Sequence, residues 1–217
     1  MTGDQPLTLR PYGARALLAE VPDAPTRRAL TAWLESTEHS GVDIVPAEST
    51  VLLDVSDMSV DESTAQQALR RLSAQLRDLD LTTLPPATAS SGSLHTIDVR
   101  YDGPDLTTVA EQLAMSTDAL IRWHASTPWT VEFLGFMPGF GYLTRADHNR
   151  EVDRRHSPRS AIPTGSVGFA GSYCGVYPRS SPGGWQLVGH TEHVMFDVHG
   201  TGATAAPNDR ITFQAVR

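Results

Sequence analysis

The stretch from Thr130 to Trp185 limits most strongly what this chain can fold into. It holds nine of the chain's 17 glycines, with prolines and aromatic residues between them. Glycine at that density indicates backbone conformations that other residues rarely adopt, and the aromatic rings supply flat surfaces beside that backbone. We therefore expect this stretch to form loops and short strands that shape a pocket, with the rest of the chain supporting it.

The length and composition are those of an ordinary globular protein. The chain has 217 residues, of which 40% are hydrophobic, and this is enough for one large or two small domains. It contains no run of about 18 apolar residues, and its first residues have neither a basic region nor an apolar core, so we expect a cytoplasmic protein. The single cysteine, Cys174, excludes an internal disulfide and is interpreted as a small buried side chain.

The charged residues narrow the possible partners. A net charge of −8 argues against nucleic-acid binding, which depends on neutralising phosphates. All 17 basic residues are arginines, so chemistry that needs a Schiff-base lysine or a phosphate-loop lysine is excluded. A nucleotide would have to be held by arginine, by backbone amides or by a partner chain.

The first part of the chain predicts a small α+β domain over residues 1–82. Two short strands within Leu7–Val21 precede a helix that Thr26 can cap, and two further strands precede a helix from about Asp61 to Asp78. Residues 83–93 have the composition of a linker, with no periodicity and few charges.

Residues 94–217 predict a second domain that is mainly β. A strand over Leu94–Tyr101 is followed by two helices, and short strands separated by glycine and proline turns then continue to the C-terminus, as in an antiparallel barrel or sandwich. The two helices, over Asp105–His124, imitate a DNA-reading helix-turn-helix. Because they offer mainly Arg122 and His124 to a duplex, we interpret them as packing elements.

Two kinds of site are weakly represented. None of the eight histidines forms a tight ligand pair; His190 and His193 are three residues apart, but no cysteine or acidic pattern completes a site, so we expect no metal. A serine hydrolase would need a Gly-x-Ser-x-Gly turn, of which Ser166 in Thr164–Gly168 is only a loose echo.

A loop-built pocket with a few polar groups remains, and His124 and Arg159 are its candidates. His124 ends a helix just before the glycine-rich stretch, where it could act as a general base or could simply pack beneath the barrel. Arg159 follows Pro158, and a guanidinium fixed in this way suits a carboxylate, a carbonyl or a phosphate. Acidic residues at Asp147, Glu151 and Asp153 are interspersed with a cluster of arginines, and most of this cluster is predicted to be a solvated, self-neutralising loop. The cluster is Arg145, Arg150, Arg154, Arg155 and Arg159.

Several motifs in fixed order resemble one family. They are Gly135–Leu143, Pro158-Arg159, Ile162–Val167, Gly175–Pro178 and Ser181–Trp185. The chain is similar in these motifs to the family that holds allophanate hydrolase subunit 1, the B-type subunit of bacterial 5-oxoprolinase and the KipI-type inhibitor of a sporulation histidine kinase, also described as carboxyltransferase domain, subdomains C and D. The resemblance covers nearly the whole chain.

The resemblance implies a fold and a function. The fold is a small α+β domain followed by an all-β, cyclophilin-like barrel, joined to a partner of related barrel fold that is similar to the C-type subunit of 5-oxoprolinase or to allophanate hydrolase subunit 2. The function is that of an ATP-dependent amide or lactam hydrolase subunit, foremost 5-oxoprolinase, which converts 5-oxo-L-proline to L-glutamate and is inactive without its partner. ATP is expected to be held largely by that partner. The alternatives are an allophanate hydrolase or urea carboxylase-pathway subunit, and a KipI-like kinase inhibitor that is not an enzyme.

The resemblance also implies the residues of a shared site. The catalytic candidates are His124, Arg159 and Ser166. The residues expected to bind substrate are Phe136, Pro138, Gly139, Phe140, Pro163, Gly165, Tyr177, Pro182, Gly183, Gly184, Trp185 and Gln186. This chain departs from the family pattern at His190, where an arginine is usual, and at Asn208-Asp209, which replaces Gly-Asp. If that arginine binds an anionic group, affinity or substrate differs here.

Overall fold

The computed structural model describes residues 7–37, 39, 41–55, 60–85, 92–145 and 151–217. The chain divides into two compact units, Met1–Thr88 and Ala89–Arg217. The division falls within the stretch predicted as a linker, residues 83–93, of which 86–91 lie outside the described residues. In the described part of the chain, none of the helices has the length and apolar character needed to cross a membrane.

The N-terminal unit is a four-stranded antiparallel sheet with two helices. Its elements are β1 (Thr8–Tyr12), β2 (Ala16–Glu20), α1 (Ala24–Ser36), β3 (Asp43–Pro46), β4 (Thr50–Asp54) and α2 (Glu62–Arg77), followed by a 3-10 turn at Leu81–Thr83. The strand order is β1-β2-β4-β3. Leu30 and Leu34 of α1 are fully buried in one cluster with Leu53 of β4, so the apolar side of this helix completes the core of the unit.

Aspartates begin both helices of this unit. The Asp23 carboxylate accepts a hydrogen bond from the Thr26 amide at 2.8 Å, and the Asp61 carboxylate accepts one from the Thr64 amide at 2.9 Å. The first helix therefore starts before the predicted cap, Thr26, which lies inside its first turn. Asp23 can cap the helix because its side-chain oxygen reaches an amide that has no partner within the helix.

The C-terminal unit consists of two helices and ten further strands after β5. Its elements are β5 (Leu94–Arg100), α3 (Leu106–Gln112), α4 (Thr117–Ser126), β6 (Trp129–Leu134), β7 (Gly141–Thr144), β8 (Arg159–Ile162), β9 (Ser166–Ala170), β10 (Tyr173–Val176), β11 (Ser181–Gly183), β12 (Gln186–His190), β13 (Phe196–Asp197), β14 (Gly202–Ala203) and β15 (Arg210–Val216). Seven of these strands close into a barrel in the order β10-β7-β6-β15-β5-β12-β9. The barrel interior holds Trp129, Phe169 and Phe213, all fully buried.

One pair of barrel strands departs from the predicted antiparallel arrangement. β5 and β15, the first and last strands of the unit, are parallel and in register over seven residue pairs, from Leu94 with Arg210 to Arg100 with Val216. The prediction of an antiparallel barrel is wrong at this pair. Tight turns impose antiparallel pairing on consecutive strands, whereas no turn connects these two.

The parallel pairing determines which peptide groups of β5 are used. The Arg210 amide donates to the Ser93 carbonyl at 2.8 Å. Along a parallel strand, the N–H and C=O of one residue point to the same neighbour, and successive residues alternate between the two sides. Given the register, His95, Ile97 and Val99 direct their peptide groups toward β15.

The alternate residues of β5 face the other way. Leu94, Thr96 and Asp98 direct their peptide groups away from β15, toward the side on which β12 lies, yet β12 pairs with β5 only through His190 and Arg100. Among the residues that the structure describes, no strand is paired with these three, and all three are exposed. We call the peptide groups of Leu94, Thr96 and Asp98 the open edge of β5.

Two glycines with positive φ allow a test of the close approach between β9 and the segment after β12. Gly165 has φ +78°, and a Cβ there would lie 2.1 Å from the Thr191 carbonyl oxygen; Gly171 has φ +56° and open space around the same position. Gly171→Ala should therefore cost only the backbone strain of about 1–2 kcal/mol. Gly165→Ala should cost more than about 3 kcal/mol because the collision adds to that strain. Urea unfolding of both variants measures the difference, and equal losses would contradict the close approach.

Candidate functional site

The aromatic residues of the motifs form a packed cluster. The Phe140 ring lies 5.2 Å from the Tyr177 ring and 5.2 Å from the Trp185 ring, centroid to centroid, and all three side chains are buried. We call the set Met137, Phe140, Ile162, Ala170, Tyr177, Trp185 and Leu187 the aromatic cluster. Gly175 is needed beside it, because a Cβ there would lie 2.9 Å from the Phe140 ring. These side chains thus fill the space between the motif loops with one another.

Phe136 differs from the other motif aromatics because it faces solvent. Its side chain is 60% exposed and its φ is +66°, a conformation that a phenylalanine rarely adopts. The next residues turn back at Gly139, where a Cβ would lie 2.6 Å from Phe196 Cβ. The loop is therefore held against β13 and presents Phe136 outward, while Pro138 is also exposed.

The remaining predicted binding residues shape turns around the cluster. Gly183 of β11 would place a Cβ 2.9 Å from the Tyr177 hydroxyl, and Gly184 accepts a hydrogen bond from the Arg155 amide at 2.8 Å. The Gln186 side chain is buried and donates to the Asp153 carbonyl at 3.1 Å. Exposed prolines, Pro163 and Pro182, flank these turns.

Asp105 ties two arginines to the start of α3. Its carboxylate accepts hydrogen bonds from Arg155 Nη1 at 3.0 Å, from Arg159 Nη2 at 2.9 Å and from the Leu187 amide at 2.7 Å. The Asp105 side chain is only 6% exposed, so these charge-assisted bonds are shielded from water. The guanidinium predicted to meet a ligand, that of Arg159, is therefore engaged with a carboxylate of the chain itself.

The ionisation of Asp105 follows from these contacts. Burial opposes it, but the hydrogen bonds from Arg159 and the Leu187 amide and the charges of Arg159 and Arg155 outweigh burial and lower the pKa of Asp105. Tyr177 shows the opposite balance: burial raises its pKa to about 12, although the charges of Arg154 and Arg159 act against this. Tyr177 is therefore a protonated hydroxyl at neutral pH.

Arg145 is also an internal contact. It is 7% exposed, donates to the Trp123 carbonyl and to Ser126 Oγ, the latter at 3.2 Å, and stacks its guanidinium 4.8 Å from the Trp123 ring centre. The prediction that the arginines of this region form a solvated loop is wrong for Arg145, Arg155 and Arg159, whose partners come from other elements. Arg154 is exposed, and Arg150 lies outside the described residues.

His124 lies inside the barrel, with none of its surface exposed. Its Nδ1 is 2.5 Å from the Tyr101 hydroxyl, its Nε2 is 3.2 Å from Cys174 Sγ, and its ring stacks on Phe213 at 4.3 Å. Of the two roles that the sequence left open, the structure shows the packed histidine. A general base has to reach a ligand, and this position gives His124 no contact with solvent.

Ser166, the third catalytic candidate, begins β9 and is 4% exposed. It is paired across the sheet with His190, and its carbonyl accepts from the Tyr177 amide at 2.9 Å. His190 in turn places Nδ1 2.9 Å from Asp102 Oδ1. The structure thus brings Ser166 next to His190, whereas the ring nitrogens of the buried His124 contact Tyr101 and Cys174.

A cavity of about 520 Å³ lies beside the open edge of β5. Its lining is Thr96, Asp98, Arg100, His190, Thr191, Glu192, His193 and Val216. These residues come from the outer side of β5, from the end of β15 and from the segment where β12 ends. Sequence reasoning singled out His190 and His193 but missed Thr96, Asp98 and Arg100, because nothing in a seven-residue strand indicates that one of its edges lacks a neighbour.

The part of the chain that the structure describes offers no cluster of metal-binding side chains. Within those residues, no group of three or more His, Cys, Asp or Glu side chains could hold a metal ion. His190 lies beside the Asp102 carboxylate, and His190 and His193 at the cavity are not part of such a group.

Comparisons with known proteins agree with the architecture. The family model for carboxyltransferase domain, subdomain C and D, matches residues 7–206. A B-type subunit of 5-oxoprolinase from Haemophilus influenzae is 38% identical over 144 residues, which are 65% of this chain and 63% of that protein, and one from Escherichia coli O157:H7 is 46% identical over 95 residues, 44% of each. The crystal structure of TTHA0988 superposes with a TM-score of 0.69 at 30% identity and covers 97% of this chain but 40% of that one. The matches thus span less than two thirds of these relatives.

Replacing Asp105 tests the junction of α3 with the two arginines. Asp105→Asn leaves two guanidinium groups without their carboxylate and should lower the free energy of unfolding at pH 7 by about 2–4 kcal/mol, with allowance for the partial exposure of Arg155. The pKa of Asp105 is lowered on folding, so its stabilisation is complete above the unfolded value near 4 and is lost as pH falls through the folded value. The difference in unfolding free energy between wild type and variant should be constant above about pH 5 and should shrink below about pH 4.

Urea unfolding at several pH values measures that difference in free energy. Asp98→Asn is the matched control, because the Asp98 side chain is exposed and has no hydrogen-bond partner among the described residues. If the destabilisation by Asp105→Asn stayed the same down to pH 2, the charge of the Asp105 carboxylate would not be what stabilises its contacts with the two arginines.

The reactivity of Cys174 tests whether the group formed by Tyr101, His124 and Cys174 is buried. Burial raises the pKa of the Cys174 thiol, and the side chain has no exposed surface, so it should not react with a thiol-specific disulfide reagent in the native protein. Full reaction is expected in urea. Rapid reaction without urea would show that solvent reaches the Tyr101–His124–Cys174 group and would restore His124 as a candidate base.

Proposed function

The chain belongs to the carboxyltransferase domain family, subdomain C and D, and from this membership we propose that it is a subunit of an ATP-dependent hydrolase that opens a lactam. The proposed substrate is 5-oxo-L-proline and the product is L-glutamate. The observation that carries this proposal is the similarity to relatives named as B-type subunits of 5-oxoprolinase. In the reaction, one water adds across the lactam C–N bond to give the amine and the carboxylate, and a second water is consumed as ATP becomes ADP and phosphate.

The geometry supports a subunit that depends on a partner. His124 is enclosed, Arg159 is engaged by Asp105, and the aromatic cluster fills the space between the motif loops. The described residues therefore offer individual polar groups near His190 but no assembled set of base, nucleophile and anion-binding group. We propose that a partner of related, cyclophilin-like barrel fold completes the active site.

We propose that this chain contributes little to holding the nucleotide. The chain has no lysine, and two guanidiniums of the C-terminal unit, those of Arg155 and Arg159, already pair with Asp105. No step of the reaction is therefore assigned to this chain's contacts with ATP. The proposal places ATP on the partner subunit.

Reconstitution tests the proposed function. The chain should be mixed with the product of the adjacent subunit gene, and glutamate and phosphate should be measured with 5-oxo-L-proline and ATP present. Glutamate is expected only when both proteins and ATP are supplied. Controls that omit each protein in turn establish which of them is required.

Two outcomes would redirect the proposal. Release of ammonia from allophanate by the same mixture, with no glutamate from 5-oxo-L-proline, would place the chain in the urea pathway. Loss of autophosphorylation by a histidine kinase on titration with the chain, with neither hydrolysis, would make it a kinase inhibitor.

A further inference from the structure

The open edge of β5 is a place where another strand can be added. It spans five residues, or about 16 Å of extended chain. Leu94, Thr96 and Asp98 each offer one N–H donor and one C=O acceptor on the same side, because the ladder with β15 uses the peptide groups of the residues between them. An exposed edge of this length is a template for pairing with another chain, and proteins usually protect such edges.

A cavity lies beside the edge. The cavity of about 520 Å³ is lined by Thr96, Asp98 and Arg100 of β5, by the segment from His190 to His193 and by Val216 of β15, so it covers the outer face of β5 and reaches the edge. β12 pairs with β5 only at His190 and Arg100 and then diverges from it. The gap that this divergence leaves lies next to the edge.

The charges around the gap indicate what kind of strand can pair with the open edge of β5. The carboxylates there are Asp98, Asp102 and Glu192; the Glu192 side chain is 97% exposed, and Asp102 pairs with His190. The arginine is Arg100, which donates to the Arg217 carbonyl at 3.3 Å. The three carboxylates outnumber the one guanidinium by two. Two copies of this chain would bring like charges together, whereas a segment with basic side chains would neutralise them.

We propose that an extended, basic segment of the partner subunit pairs with the open edge of β5 and continues the barrel wall across the gap. This inference rests on the proposed function in one respect, the existence of that partner. In TTHA0988, the part that this chain covers is 40% of one continuous polypeptide, so in that relative the same fold is joined to further chain. Backbone pairing would supply the affinity, and the carboxylates would supply the choice of partner.

The edge can be blocked without disturbing the barrel. Thr96→Pro removes an N–H that the β15 ladder does not use and places the ring where an added strand would lie, and proline is tolerated at strand edges. Thr96→Ala is the matched control, because it removes the side chain but keeps the N–H. Ile97→Pro is the contrasting variant: it removes an N–H that faces β15, so it should unfold the unit.

Affinity for the partner is the readout. The product of the adjacent subunit gene is immobilised and each variant is titrated over it, with circular dichroism confirming that the variant is folded. Thr96→Pro should raise the dissociation constant at least about tenfold and Thr96→Ala less than about twofold, since only the proline removes backbone bonds. Asp98→Lys, which keeps the edge intact, should weaken binding at low salt by roughly threefold to tenfold, and the difference should shrink as salt screens the charge.

The outcomes separate this inference from the proposed function. Wild-type affinity in both Thr96→Pro and Asp98→Lys would overturn the inference even if the complex makes glutamate. A dimer of the chain alone that Thr96→Pro converts to a monomer would also overturn it, in favour of pairing between copies. Affinity that Thr96→Pro abolishes, in a complex that makes no glutamate, would support the inference and contradict the proposed function.

Discussion

The parallel pairing of β5 with β15 is the constraint on which the C-terminal unit depends. It joins the two ends of the unit over seven residue pairs, closes the barrel and buries Ile97, Val99 and Phe213 inside it. The same pairing uses the peptide groups of alternate residues only. Because β12 meets β5 at a single pair, closure of the barrel leaves Thr96 and Asp98 with peptide groups that face a gap. Closure of the barrel and the open edge of β5 thus arise from one arrangement.

The arginines and the histidine that the sequence suggested as site residues make contacts within the fold. Arg155 and Arg159 hold Asp105 at the start of α3, and His124 connects Tyr101 to Cys174 within the barrel. A buried charge or imidazole needs partners, since water cannot replace them. These polar groups are therefore engaged in contacts within the chain.

Local features of the fold could be predicted from the sequence, and long-range ones could not. Turn residues and apolar periodicity predicted the two strands within Leu7–Val21 and the helix that starts after Asp61, because both depend on neighbouring residues. The partners of Arg159 and the parallel pairing of β5 join residues more than 50 positions apart, where no local pattern acts. The family resemblance identified the shared motifs, but it did not show that Phe140, Tyr177 and Trp185 would fill the space they surround.

Amide hydrogen exchange along β5, followed by NMR, tests the central claim most directly. In the chain alone, the amides of His95, Ile97 and Val99 should exchange slowly and those of Thr96 and Asp98 quickly, because only the first three donate to β15. Addition of the partner subunit should slow Thr96 and Asp98 and leave the others unchanged. Equal, slow exchange at all five amides in the chain alone would show that this edge is already paired, and the account would fail.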